Sequence, residues 1–88
     1  MSHYQIQIRP QAKKSLDQLD GPLKKRIYAA ITLLGENPFP PAARHIANSP
    51  YLRVRIGDYR ILYHVLDDLL LIELIQIKHR KDAYRRMP

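Results

Sequence analysis

The chain has 88 residues, the size of one small domain, and its 15 lysines and arginines against eight acidic residues give a formal net charge of +7. It has no cysteine, so disulfides and thiolate metal sites are excluded, and this composition fits a reducing, cytoplasmic compartment. No apolar run is long enough to span a membrane, and the first residues lack the pattern of a secretion signal. We therefore expect a single domain over 1–88 whose positive charge favours a polyanionic partner.

The first half of the chain predicts one strand followed by two helices. Alternating apolar residues over 4–8 predict a short strand that ends before Pro10, and Pro10 favours the start of a helix. A second helix begins near Pro22 and ends at the proline-rich segment 37–41. Both helices carry an apolar stripe, so we expect them to form a helical hairpin. Residues 42–49 predict a loop or a short turn.

The segment 51–64 predicts a β-hairpin closed by the two-residue turn Gly57-Asp58. This register places Arg55 directly opposite Arg60. Side chains alternate between the faces of a strand, so one face is apolar and the other is polar. The polar face carries Tyr51, Arg53, Arg55, Arg60 and His64. Like charges that face each other across a ladder cost about 0.2–1 kcal/mol, so folding does not call for this cluster, whereas a bound polyanion would.

The rest of the chain predicts a third strand and a short helix. The turn Asp67-Asp68 leads into 69–77, which is apolar on both faces and is therefore expected inside the sheet. A terminal helix is expected at about 81–86. The predicted fold is α+β: an N-terminal strand, a helical hairpin, a three-stranded antiparallel meander and a short C-terminal helix. The hairpin of helices is expected to cover one sheet face, with the arginines on the opposite face.

Several of these segments together resemble the RelE/ParE family of bacterial toxins from type II toxin–antitoxin modules. The resemblance covers nearly all of the chain and is strongest in Tyr-Leu-Arg-Val-Arg-Ile-Gly-Asp-Tyr-Arg-Ile-Leu-Tyr at 51–63 and Ile-Lys-His-Arg-Lys-Asp-Ala-Tyr-Arg at 77–85. It implies the β-α-α-β-β-β fold of RelE. RelE-type members cut mRNA in the ribosomal A site, and ParE-type members act on DNA gyrase. The presence of both Arg80 and Tyr84 favours the RelE type.

The resemblance also implies a set of site residues. The RelE-type pattern has basic residues on the central strands, an arginine on the next strand, and an arginine and a tyrosine near the C-terminus. This pattern falls on Arg53, Arg55, Arg60, Arg80 and Tyr84, which implies catalytic roles for Arg60, Arg80 and Tyr84 and substrate binding by Arg53 and Arg55. We also expect the neighbouring Lys78, His79 and Lys81 to bind the substrate.

RNA cleavage by the 2′-hydroxyl needs a base, stabilisation of the phosphorane charge, and a proton for the leaving oxygen. Arginine stays protonated in proteins, so the arginines of this set are expected to stabilise charge and hold phosphates. Nearby arginines favour a phenolate, which makes Tyr84 the first candidate for the base. His79 and His64 remain alternatives. We expect no metal and no cofactor.

The resemblance implies the ribosome, mRNA and a RelB-like antitoxin as partners, and no membrane. The antitoxin is expected to be an acidic or amphipathic segment that covers the basic face, in a hetero-oligomer able to bind operator DNA through the antitoxin. The leading hypothesis is a ribosome-dependent mRNA endoribonuclease, an mRNA interferase. Two alternatives stay open: an inhibitor of DNA gyrase on the same fold, and an RNA- or ribosome-binding protein without catalytic activity.

Overall fold

The structure, a computed structural model, describes residues 3–81. In this range the strands are β1 (Gln5–Ile8), β2 (Arg44–His45), β3 (Tyr51–Ile56), β4 (Tyr59–Leu66) and β5 (Leu71–His79), and the helices are α1 (Pro10–Asp17) and α2 (Gly21–Glu36). The predicted α+β fold, with a strand, a helical hairpin and an antiparallel meander in that order, is confirmed. Neither described helix is long and apolar enough to cross a membrane.

Each helix begins at, or one residue before, a predicted proline, and α2 also ends where the sequence predicts. Pro10 is the first residue of α1, where its missing N–H costs nothing. The side chain of Asp20 caps α2 by accepting a hydrogen bond of 3.2 Å from the backbone N–H of Leu23. Helix α2 stops at Asn37, whose extended backbone precedes Pro38, because a residue before proline avoids the helical conformation.

All of the described strands belong to one sheet with the order β1-β5-β4-β3-β2. Strand β5 therefore lies inside the sheet, as its two apolar faces predict. Strand β1 pairs with β5 in parallel, and the other neighbouring pairs are antiparallel. The parallel pair needs a crossover, which the helices and the meander between β1 and β5 provide.

The hairpin of β3 and β4 has the predicted register, with Arg55 opposite Arg60 and Tyr51 opposite His64. Gly57 has a φ of 61°, and the next residue, Asp58, does not share this left-handed conformation. A positive φ at only the first position is the pattern of a type II′ turn, which glycine favours and which matches the twist of the strands. This turn brings the polar side chains of the two strands onto one face.

The helices cover one face of the sheet and form the core with it. The buried apolar residues are Ala12, Leu16, Ile27, Ile31 and Leu34 from the helices, and Val54, Ile61, Tyr63, Ile72, Leu74 and Ile77 from the strands. The sheet face opposite the helices carries the polar residues of the hairpin, so the predicted separation of an apolar and a basic face is confirmed.

Three local predictions differ from the structure or lie outside it. Strand β5 runs over Leu71–His79 rather than 69–77, because Asp67–Leu69 forms a 3₁₀ turn and Leu70 adopts the left-handed conformation with a φ of 49°. Residues 42–49 are not all loop, since β2 lies within them and pairs with β3. The terminal helix predicted at 81–86 lies outside the described residues, apart from Lys81.

Candidate functional site

The open face of the sheet carries basic side chains in two rows that run across the strands. In the row nearest the hairpin turn, Arg55 pairs with Arg60 and Arg60 pairs with Lys78. In the next row, Arg44 of β2 pairs with Arg53 of β3. We call these five residues the cationic face. Their grouping follows from the pairing of four strands, because residues that face each other in adjacent strands project to the same side.

Lys78 joins this face because of a β-bulge. The pairing of β4 with β5 shifts between Leu62, opposite Gln76, and Tyr63, opposite Leu74, so that Ile75 is the extra residue. An extra residue inverts the alternation of side chains after it. As a result Ile77 enters the core, and Lys78 projects beside Arg60 rather than toward the helices.

Three arginines, two from neighbouring strands and one that directly follows β5, line one concavity at the end of the sheet. Arg55, Arg60 and Arg80 surround a space of about 110 Å³ together with the turn residues Gly57 and Asp58 and with Tyr59, the first residue of β4. The backbone N–H of Arg80 donates a hydrogen bond of 2.8 Å to the carbonyl of Asp58, which ties the end of β5 to the hairpin turn. This volume is several times the roughly 30 Å³ that one water molecule occupies, so a phosphate-sized anion fits among the three side chains.

The charges of the cationic face act on one another. Partial burial, and then the positive charges of Arg55, Arg60 and Arg44, lower the pKa of Arg53 from its ordinary value. Within residues 3–81, the lysine and arginine ion pairs join Arg9 to Glu73 and Lys13 to Asp17, and none includes the cationic face. A group of like charges without carboxylate partners creates a potential that attracts a polyanion.

His79 lies on the other side of the sheet. It pairs with Tyr59, and the two rings meet edge to face with centroids 5.1 Å apart, next to Leu23 and Arg26 of α2. Its Nδ1 accepts a hydrogen bond of 3.1 Å from the backbone N–H of Lys81. Adjacent residues of a strand project to opposite faces, so His79 cannot share a face with Lys78 as the sequence-based grouping expected.

Of the two remaining predicted site residues, one lies within the described residues and one lies outside them. Lys81 follows Arg80 and is exposed, whereas Tyr84 lies outside the described residues. Arg44 was missed by the sequence analysis, because a strand of two residues gives no periodic signal. The Nη1 of Arg44 donates to the carbonyls of Pro41 and Ala43, at 2.7 and 2.9 Å, which holds its side chain at the edge of the sheet. No cluster of three potential metal ligands occurs within residues 3–81.

Comparisons with known proteins cover nearly the whole chain. The profile of a family described as the ParE toxin of type II toxin-antitoxin system, parDE, matches residues 6–84. A protein of Escherichia coli whose name calls it a RelE-like toxin is 27% identical over 85 residues, which cover 92% of this chain and 90% of that protein.

Solved structures show the same topology. A chain of the archaeal RelE-RelB complex from Pyrococcus horikoshii OT3 is 25% identical and superposes with a TM-score of 0.80, covering 89% of this chain and 96% of that one. A chain of the RelB-RelE antitoxin-toxin complex from Methanococcus jannaschii is 26% identical and has a TM-score of 0.75, with coverages of 93% and 99%. The sheet that carries the cationic face is therefore a shared framework.

Proposed function

The chain belongs to the family of ParE toxins of type II toxin–antitoxin systems, within the RelE/ParE superfamily, and on that premise we propose that it is a metal-independent endoribonuclease that cleaves mRNA on the ribosome. The observation that supports this activity is the convergence of Arg55, Arg60 and Arg80 around one concavity. Guanidinium groups bind phosphate through paired hydrogen bonds, and three arginines around one concavity suit a phosphate whose charge rises during the reaction.

The proposed reaction uses the nucleophile that RNA itself contains. The 2′-oxygen attacks the adjacent phosphorus, its proton passes to a base, and the P–O5′ bond breaks as the 5′-oxygen takes up a proton. The products are a 2′,3′-cyclic phosphate and a 5′-hydroxyl. Arg60 and Arg80 stabilise the additional negative charge of the phosphorane. We assign the base to Tyr84, because the family resemblance includes it in the site and positive charge near a phenol favours the phenolate.

Substrate binding is assigned to the basic residues next to the concavity. Arg53, Arg55, Lys78 and Lys81 hold the phosphates on either side of the cleaved bond. His79 is left out of this set, because its ring packs against Tyr59 on the face that the helices cover. His64 is left out of the catalytic set as well, since its row lies two rows away from the row of Arg60.

The proposed partner is a RelB-like antitoxin in a hetero-oligomer. Two of the similar solved structures are complexes of RelE with RelB. The cationic face supports such a partner, because an acidic segment laid across it neutralises charges that have no carboxylate partner among residues 3–81. The same segment would exclude RNA, so one contact both inhibits the toxin and relieves its charge repulsion.

The test is the position of new mRNA ends in cells that express the toxin. We expect 5′ ends within reading frames for the unchanged protein and a loss of about 10²–10³ in cleavage for Arg60→Ala and for Tyr84→Phe. Lys25→Ala removes the same charge from an exposed position of α2 and should cleave normally. Cleavage that survives Arg60→Ala refutes the proposed site. Equal rates on naked and ribosome-bound RNA refute the dependence on the ribosome.

A second candidate function is inhibition of DNA gyrase by binding, which the match to ParE toxins favours. The same cells distinguish the two functions. Intact mRNA together with accumulated gyrase–DNA breaks supports gyrase inhibition, and growth arrest with neither kind of damage supports a binding protein without catalytic activity. A gyrase inhibitor has no need of a cluster that stabilises a phosphorane, so its effect should survive Arg60→Ala combined with Tyr84→Phe.

A further inference from the structure

A pair of aromatic rings lies next to the cationic face, on the same side of the sheet. Tyr51 of β3 pairs with His64 of β4, and His64 pairs with Glu73 of β5. The rings of Tyr51 and His64 meet at 86° with their centroids 5.7 Å apart. Both side chains are partly exposed, with 26% of the His64 side chain accessible. We propose that these two rings form a subsite that stacks one base of a single-stranded RNA.

The spacing along the strands connects this subsite to the phosphate contacts. Residues on one face of a strand repeat every second position, about 7 Å apart. Tyr51 is therefore one row from Arg53, and Arg53 is one row from Arg55. A nucleotide whose phosphate lies on Arg53 reaches the aromatic pair with its base, while the next phosphate along the chain lies at the row of Arg55. The proposal rests on the proposed function for its choice of RNA as the ligand.

The surroundings hold the rings in place. Nδ1 of His64 lies 4.0 Å from Oε1 of Glu73, and Oε2 of Glu73 lies 3.4 Å from the guanidinium of Arg9. Glu73 thus lies between the imidazole of His64 and the guanidinium of Arg9, on the side of the subsite away from Arg53. Single-stranded nucleic acid is bound by this combination of positive charge and aromatic side chains on a sheet, because every base has a flat face for stacking.

Neither ring is needed for the core. The core of the described residues lies on the opposite side of the sheet, between the strands and the helices. A tyrosine and a histidine that face away from that core add little to its packing. Tyr51 and His64 lie beside the two rows of the cationic face. Tyr28 is also exposed, but it lies on α2, away from that face.

The experiment compares two oligonucleotides with identical phosphates. A labelled single-stranded RNA with 2′-O-methyl groups, which block cleavage, is compared at low salt with the same strand lacking its bases. The unchanged protein should bind the strand with bases at least about fivefold more tightly, since stacking one base on an aromatic side chain gives this much or more. Tyr51→Ala and His64→Ala should lose the difference, and Tyr51→Phe should keep it. Tyr28→Ala is the control.

Equal affinity of the unchanged protein for both strands, or no binding of either, overturns the subsite, and this comparison does not depend on the folding of any variant. A protein that cuts mRNA in cells but binds both strands equally well refutes the subsite alone. A protein that prefers the strand with bases but leaves mRNA intact refutes the nuclease proposal and retains the subsite. Thermal unfolding shows whether each variant is folded.

Discussion

Tyr63 shows how one residue serves the fold rather than the site. The alternation in β4 predicts it as a core residue, and it is fully buried in the structure. Its hydroxyl donates a hydrogen bond of 2.7 Å to the carbonyl of Pro38, just beyond the end of α2. Burial raises the pKa of Tyr63 to about 12, from 10.0. The buried phenol therefore stays neutral in the folded state at a pH where it ionises in the unfolded chain.

This difference predicts a loss of stability in alkaline solution. Because the folded pKa is the higher one, the stabilisation is complete below pH 10.0 and is lost as the pH rises toward about 12. At 1.36 kcal/mol per pH unit, the loss approaches about 3 kcal/mol. Tyr63→Phe should cost about 1 kcal/mol at pH 8, through the lost hydrogen bond, and should become the more stable protein near pH 12.

Urea unfolding of Tyr63→Phe and of the unchanged protein, at a series of pH values, measures this effect. Every other titrating group is common to both proteins, so the difference between their free energies of unfolding isolates Tyr63. A difference that stays constant from pH 8 to pH 12 contradicts the prediction. Tyr28→Phe, at an exposed position on α2, is the matched control and should give no such trend.

The arginines of the cationic face, unlike Tyr63, lower the stability of the fold and serve the site. Arg55 faces Arg60 and Arg44 faces Arg53, and each such pair costs about 0.2–1 kcal/mol. Partial burial, and after it the positive charges of Arg55, Arg60 and Arg44, also lower the pKa of Arg53. This sequence keeps like charges where a strand would gain from neutral residues. Such an arrangement is understandable when the charges act on a bound anion.

At the scale of whole elements, the contact of α2 with β1 depends on a residue without a side chain. The backbone N–H of Tyr4 donates a hydrogen bond of 2.9 Å to the carbonyl of Gly35, in the last turn of α2. A Cβ at Gly35 would lie 3.2 Å from the backbone oxygen of Tyr4. The helix and the edge strand can approach this closely only because position 35 is glycine.

Gly35→Ala should therefore destabilise the protein by about 1 kcal/mol. Overpacking against a backbone atom costs about 1–3 kcal/mol, and the better helix propensity of alanine returns about 1 kcal/mol. Gly21→Ala, at the start of the same helix, is the matched control, because a Cβ there meets nothing within 4 Å. Thermal or urea unfolding measures both. A stabilisation by Gly35→Ala equal to that of Gly21→Ala contradicts this account of the contact.

Some of the helices and strands could be predicted from the sequence, and others could not. Local signals were sufficient to predict the helices and the hairpin, since Pro10, Pro22 and the Gly57-Asp58 turn act on neighbouring residues. The bulge at Ile75 was not predictable, because it depends on how β4 and β5 fit against the core. The two-residue strand β2 was missed for a different reason, because a strand of two residues gives no periodic pattern in the sequence.

Missing the bulge at Ile75 and strand β2 affected the prediction of the site more than the prediction of the fold. Without the bulge, the side of the sheet on which Lys78 lies cannot be derived from alternation, and His79 was grouped with the arginines although it contacts Tyr59 on the opposite face. Without β2, Arg44 could not be placed beside Arg53. The convergence of Arg55 and Arg60 was predicted, because both belong to a single hairpin with a defined turn.

At the scale of the whole molecule, the two faces of the sheet have different roles, one in stability and one in binding. The helices and the buried face of the sheet provide the core, and the open face concentrates positive charge. A chain with a net charge of +7 could instead spread this charge over its surface for solubility. The two arrangements predict different responses to single charge removals, because only a concentrated site makes individual phosphate contacts.

Salt dependence of RNA binding distinguishes these arrangements. Each neutralised phosphate of a single strand contributes about −0.7 to the slope of log K against log salt concentration. One phosphate shared by Arg55, Arg60 and Arg80, and one each at Arg53, Lys78 and Lys81, therefore predict a slope of about −2.8. Arg53→Gln should reduce the slope to about −2.1, whereas Lys25→Gln, an equal loss of charge on exposed helix α2, should leave it unchanged. Fluorescence anisotropy with the uncleavable oligonucleotide measures both slopes. Equal changes for the two variants would mean that the positive charge acts diffusely, and that the open face of the sheet has no defined phosphate contacts.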